Sequence, residues 1–169
     1  MVKKRRQIGI STVTALYCTH KLLFASDSKP ESIIFISPYL SIGVDFLNKI
    51  RDYLECAPDY LIEKDKDGKV IYSKKNSGEI LLPNGSGIKV KAASVDALRG
   101  YMPTLLIMDE AAFIRNSKAV WDCIYPCISN ECKVIIISSP NLDSYDSFFN
   151  QLCENTLKGK NNFKIYEIE

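Results

Sequence analysis

Two neighbouring carboxylates, Asp109 and Glu110, follow directly on the apolar run Leu105-Leu106-Ile107-Met108. Such a run reads as a strand buried on both faces, and its C-terminal tip is where an open α/β sheet presents groups to a ligand. Paired acids at that tip suit nucleotide hydrolysis, the aspartate holding a magnesium shell and the glutamate orienting the attacking water. Near the start of the chain, Lys4-Arg5-Arg6-Gln7-Ile8-Gly9-Ile10-Ser11-Thr12 carries the complementary parts. A phosphate-cradling loop needs a glycine where N–H groups turn inward, a helix N-terminus facing the anion, a cation, and a hydroxyl for magnesium. Gly9, a helix starting at Ser11, and the Ser11 hydroxyl supply three of these. The cation is displaced: Ile10 stands where the usual pattern has lysine, and Lys4 stands where it opens with glycine.

Each piece has a plainer reading when taken alone. Asp109-Glu110 fits a solvated strand end, and Lys3 to Arg6 fits a solvated basic arm, a nucleic-acid contact or a phosphate-binding run. The acids, Gly9-Ile10-Ser11 and Ser138-Ser139 together favour catalysis. Arg99 fits either a helix-end cation or an arginine finger reaching a neighbouring subunit's nucleotide. Ser139 or Cys127 as a nucleophile needs a paired histidine, and the single histidine, His20, belongs to the first helix. Trp121, Phe148 and Phe149 read as core or interface residues rather than base-stacking platforms.

These residues need an alternating framework to bring them together, and the hydrophobic pattern supplies one. Ser11 to about Ser26 is apolar on most sides, as in a helix buried against a sheet. Ser32 to Ser37 is a β-branched apolar strand, and Leu40 to Glu55 is an amphipathic helix. Glu79-Ile80-Leu81-Leu82 meets Ile88-Lys89-Val90-Lys91 across Pro83-Asn84-Gly85-Ser86-Gly87 as a hairpin. After the Leu105 strand come a helix from Asn116 to Ser129, kinked or broken at Pro126, and a buried strand from Val134 to Ser138. A helix capped by Ser144 carries Phe148, Phe149 and Leu152, and Phe163 to Ile168 is a final strand. The chain thus reads as α/β, opening on a basic loop.

With 169 residues, 46% hydrophobic and 25% charged, residues 1–169 suit one globular domain. A net charge of +2 is too near neutral to argue for nucleic acid by itself. No apolar run has membrane-spanning length and no signal peptide is apparent, so the expectation is a cytoplasmic protein without membrane contact. Six cysteines form no CxxC pair, which points to reduced, mostly buried thiols rather than a zinc site.

The segments Arg6 to Thr12, Leu82 to Ser86, Ala97-Leu98-Arg99-Gly100, Leu105 to Ala112 and Ser138-Ser139-Pro140-Asn141 occur in an order and spacing that resembles the ATPase domain of tailed-phage terminase large subunits. The resemblance implies a P-loop NTPase of the additional-strand type, with a mainly parallel central sheet flanked by helices and a β-hairpin insertion. It implies a magnesium-dependent, ATP-hydrolysing motor that drives double-stranded DNA into a procapsid, with alternatives in another P-loop DNA translocase or helicase-like ATPase, or a truncated remnant that does not hydrolyse. Residues Lys4, Arg5, Arg6, Gln7, Ile8, Gly9, Ile10, Ser11 and Thr12 would bind ATP. Ser11 and Asp109 would hold Mg2+, Glu110 would be the general base, and Lys4 and Arg6 would act on the phosphates. Ser138, Ser139, Pro140 and Asn141 would couple hydrolysis to movement, and Arg99 is the candidate arginine finger. Implied partners are DNA phosphates, a small terminase subunit, a portal protein and further copies in a ring, in the host cytoplasm at the procapsid portal. The strand before the phosphate loop and an adenine-contacting element are expected upstream of this chain, and a C-terminal nuclease domain beyond it, so the domain is expected to be partial and without nuclease activity.

Overall fold

The computed structural model describes residues 1–5, 8–127, 131–140 and 148–168. The elements are β1 (Val2–Lys4), α1 (Ile10–Leu23), β2 (Ser32–Ser37), α2 (Leu40–Glu55), β3 (Lys74–Asn76), β4 (Glu79–Leu81), β5 (Gly87–Ala92), β6 (Leu105–Met108), α3 (Ser117–Ile124), β7 (Lys133–Ser138), α4 (Phe148–Leu157) and β8 (Tyr166–Ile168). All eight strands form one sheet in the order β3-β4-β5-β2-β6-β7-β1-β8. Pairing is parallel from β5 to β8 and antiparallel only where β4 meets β3 and β5. Strand β7 lies between β1 and β6, so one additional strand separates the strand that leads into the Gly9 loop from the acidic one.

Both faces of the sheet are covered, which explains why its central strands carry no alternation of apolar and polar residues. One face packs Ile33, Phe35, Leu105 and Ile107 with Ala15, Cys18, Leu22, Phe46, Leu47, Ile50 and Leu54 of α1 and α2. The other packs Ile34, Ile36, Leu106, Met108 and Ile136 with Val120, Trp121, Ile124, Phe149 and Leu152 of α3 and α4. Trp121 is a core anchor here, its ring 6.0, 5.6 and 6.1 Å from those of Tyr125, Phe148 and Phe163.

Three departures from the sequence reading have physical causes. The chain opens on a strand, not a basic loop: Val2–Lys4 pairs with β7 on one side and β8 on the other, so neighbouring strands supply the order that its short, lysine-rich sequence does not signal. A strand ahead of the Gly9 loop, expected upstream of this chain, is therefore formed by Val2–Lys4. The helix expected through Ser129 stops as an α-helix at Ile124 and tightens into a 3-10 turn over Tyr125–Cys127, because Pro126 cannot donate an amide and its ring crowds the preceding turn. Among the described cysteines only Cys18 is buried, its thiol pushed up to about 12 by burial, while Cys56 and Cys123 are exposed and Cys132 and Cys153 intermediate. The Ser144 cap falls outside the described residues. Within them, no helix is long and apolar enough to cross a membrane.

The hairpin turn is a staple at the sheet end remote from the acids. The Asn84 side chain accepts the Ser86 amide at 2.9 Å and donates to the Leu22 carbonyl near the end of α1 at 3.2 Å. Ser86, fully buried, accepts the amide of Glu31 on its hydroxyl at 3.0 Å, tying the turn to the start of β2. Asn84→Ala removes both Asn84 bonds, and the expected loss of stability, read from urea unfolding, is on the order of 1–2 kcal/mol.

Candidate active site

Parallel strands end together, so the C-terminal tips of β1, β6 and β7 share one edge of the sheet. Lys4 is the last residue of β1, Asp109 follows the last residue of β6, and Ser138 ends β7. Gly9 links β1 to α1 at φ +78°, a left-handed conformation that an L side chain adopts at a cost, and its carbonyl accepts the amides of Thr12 and Val13 at 2.9 and 3.1 Å. The first turn of α1 carries no acidic residue of its own, and an N-terminus of this kind favours an anion. A cavity of about 280 Å³ lies at this junction, lined by Lys4, Ile8, Gly9, Ile10, Ser11, Thr12 and Lys49.

Asp109 is 3% exposed. Its carboxylate accepts the Ser11 hydroxyl at 3.3 Å and the amide of Glu110 at 3.0 Å. Burial first, and then the negative charge of Glu110, hold the Asp109 carboxyl above its ordinary value, against the opposing pull of Lys4, the Glu110 amide and Ser11. A hydroxyl and a buried carboxylate offered together are hard oxygen donors, the set Mg2+ takes when water and substrate phosphates complete its octahedron. The described residues contain no group of three or more His, Cys, Asp or Glu that would cage a metal with protein ligands alone. The donor set therefore fits a magnesium–phosphate complex.

Glu110 sits at φ +50°, ψ +42°, a left-handed conformation that costs a non-glycine residue about 1–3 kcal/mol and is concentrated at functional sites. Its side chain is held from two strands. One carboxylate oxygen accepts the Lys4 ammonium at 2.8 Å, and the other accepts the Ser139 hydroxyl at 3.4 Å. Lys4 is 6% exposed, so this ion pair is nearly dry on the lysine side. Ser138 braces the same corner: its hydroxyl accepts the Ala112 amide at 3.0 Å and donates to the Ser139 carbonyl at 2.9 Å.

The structure thus brings Lys4, Ser11, Asp109, Glu110 and Ser139 together, with Ile8, Gly9, Ile10 and Thr12 around the cavity. Arg5 is exposed and outside the lining; its amide instead extends the β1–β8 pairing to the Ile168 carbonyl at 3.3 Å. Arg99 lies on an exposed turn and pairs with Asp96 at 3.1 Å. Pro140 is exposed at the end of the described β7 segment. Arg6, Gln7 and Asn141 lie outside the described residues. Two features were not read from the sequence: the contact of Ser139 with Glu110, and Lys49 at the cavity. Lys49 occupies an outward position of an ordinary amphipathic helix and is one of 22 Lys and Arg residues, so only proximity in space singles it out.

A carboxyl raised in the fold contributes stability that is complete below its ordinary value of 3.8 and lost as pH rises through its folded-state value. Above that value the penalty is in full force. Asp109→Asn is expected to raise the melting temperature of the ligand-free protein at pH 7 by a few degrees, with the gain shrinking toward pH 4 in scanning calorimetry. A lower melting temperature at pH 7 would contradict this electrostatic reading.

Residues 2–164 match the model of the family described as terminase large subunit, T4likevirus-type, N-terminal. Among solved structures, the large terminase ATPase domain of Thermus phage P74-26 is similar at a TM-score of 0.63 and 20% identity, over 83% of this chain and 59% of that one. The large terminase of bacteriophage HK97 is similar at a TM-score of 0.66 and 15% identity, over 95% of this chain and 33% of that one. A large terminase from a thermophilic bacteriophage, in complex with ADP, is similar at a TM-score of 0.62 and 11% identity, over 99% of this chain and 38% of that one. At these identities the likeness is one of fold, and this chain spans from one third to three fifths of the length of those proteins.

Proposed function

This chain belongs to the T4likevirus-type family of terminase large subunit N-terminal domains, and from that premise we propose that it is a magnesium-dependent ATPase that powers movement of double-stranded DNA into a procapsid. The observation that carries the reading is the Lys4–Glu110–Ser139 contact set together with the Ser11–Asp109 pair, Lys4 and Ser11 also lining the loop cavity. ATP enters with its phosphates against the amides at the start of α1, where the helix dipole favours negative charge. Ser11 and Asp109 would hold Mg2+, which would supply positive charge to offset that of the phosphates. Lys4 exchanges its bond to Glu110 for the incoming phosphate, which frees the Glu110 carboxylate to orient the water that attacks the terminal phosphorus. The left-handed turn and the Ser139 hydroxyl keep that carboxylate in position throughout.

Ser139 also provides a route for coupling. It touches Glu110 and lies at the head of the Ser138-to-Asn141 segment, so loss of the terminal phosphate changes what the tip of β7 packs against. DNA phosphates, a small terminase subunit, a portal protein and further copies in a ring are the partners of this proposed motor, working in the host cytoplasm. We place the ATPase unit at residues 1–169, with nuclease activity outside it.

The test is a paired measurement of binding and turnover. Glu110→Gln is expected to retain MgATP binding while the hydrolysis rate falls by about 10²–10⁴-fold, the usual contribution of a positioned general base. An unchanged rate in a preparation free of contaminating ATPase would remove Glu110 from the role. Binding without any turnover in the natural chain would instead support a remnant that no longer hydrolyses.

A further inference from the structure

We propose that Lys49 of α2 is a phosphate ligand of the loop cavity, supplying from a second helix the positive charge that Ile10 does not. The inference rests on the nucleotide-site reading above and adds a residue to it. Among the described residues, the rest of the lining comes from the tip of β1, the loop or the first turn of α1, and Lys49 alone reaches it from elsewhere in the chain. The placement follows from packing. Helices α1 and α2 lie on the same sheet face, and α2 turns Gly43, Phe46, Leu47, Ile50 and Leu54 into the core. Lys49 falls outside that buried stripe, and its exposed side chain borders the cavity.

Charge accounting around the cavity favours the same assignment. A polyphosphate entering it needs cations that are free to engage it. Among the described residues, Lys4 is buried and already bonded to Glu110, and Arg5 is outside the lining; Arg6 lies outside the described residues. Ile10, at the position where the usual loop carries its lysine, offers only a hydrocarbon side chain. Among the described residues no carboxylate is paired with Lys49, so its ammonium is available without breaking an existing contact. A lysine suits the task because a flexible four-carbon stem lets a point charge follow phosphate oxygens that shift during hydrolysis. Lys49 on the phosphates then shares the charge of the nucleotide with Lys4, which leaves Glu110 as the phosphate enters.

The experiment is titration calorimetry of the full 169-residue chain with MgATP, comparing the natural protein, Lys49→Ala and Lys49→Arg at low and high NaCl. Lys49→Ala is expected to weaken binding about tenfold at low salt, the scale of one charge-assisted contact, with the difference narrowing as salt rises. Lys49→Arg is expected to recover most of the affinity, and the ligand-free melting temperature should be the same for all three proteins because the side chain is exposed. Natural-type affinity in Lys49→Ala would overturn the assignment and leave the nucleotide site intact. A loss that Lys49→Arg does not recover, or that salt does not reduce, would show a role in packing and overturn it as well. Absence of MgATP binding in the natural chain would overturn the nucleotide-site reading, and this inference with it.

Discussion

An ammonium removed from water needs a carboxylate within reach, and Lys4 has Glu110 at 2.8 Å. Because β7 intervenes between β1 and β6, these residues come from strands that do not pair with each other. Their ion pair crosses the end of β7, and Ser139, just past that end, touches the same carboxylate. Three strand tips are thereby fixed to one another by side chains at the point where the backbone ladder ceases. Beside that fixed corner the Ser11 hydroxyl meets Asp109, the residue that follows β6.

The same corner concentrates unfavourable terms that the surrounding structure offsets. Glu110 holds a left-handed backbone conformation, and Asp109 is a buried acid with another acid beside it. Against these stand the Ser138 bridge to Ala112, the β6 pairing on both sides, and an apolar layer above and below the sheet. Mg2+ held there would offset the negative charge that Asp109 and Glu110 bring together. Strain and buried charge at strand tips, with a regular core beneath them, is the arrangement expected when a site is built for a ligand that brings its own cation.

Much of this was legible in the amino-acid order because local signals and tertiary placement agreed. The β-branched run Ser32 to Ser37 and the periodicity of Leu40 to Glu55 determine β2 and α2 at the expected boundaries. Acids at the end of an apolar run and Gly9 ahead of a helix locate both halves of the site, since each motif carries its own backbone requirement. What was not legible depends on pairing across the chain. Val2–Lys4 becomes a strand through β7 and β8, neither of which is near it in sequence. The Leu82-to-Ser86 turn was recognisable, but its use as a staple between α1 and β2 depends on Leu22 and Glu31 arriving beside it. The conversion of α3 to a 3-10 turn was half legible, for Pro126 announces a break without saying where the helix yields.

The central claim is that Lys4, relocated to the opening of the loop, passes from Glu110 to a nucleotide phosphate. The direct measurement is calorimetric titration of Lys4→Met with MgATP, beside the natural chain, after circular dichroism has verified that the variant is folded. The account predicts measurable binding in the natural chain and its loss, or a reduction of at least about a hundredfold, in the variant, as removal of a charged phosphate contact from a largely desolvated site requires. Equal affinity in the two proteins would contradict it, leaving Lys4 as a structural partner of Glu110 and the phosphate charge to be met elsewhere.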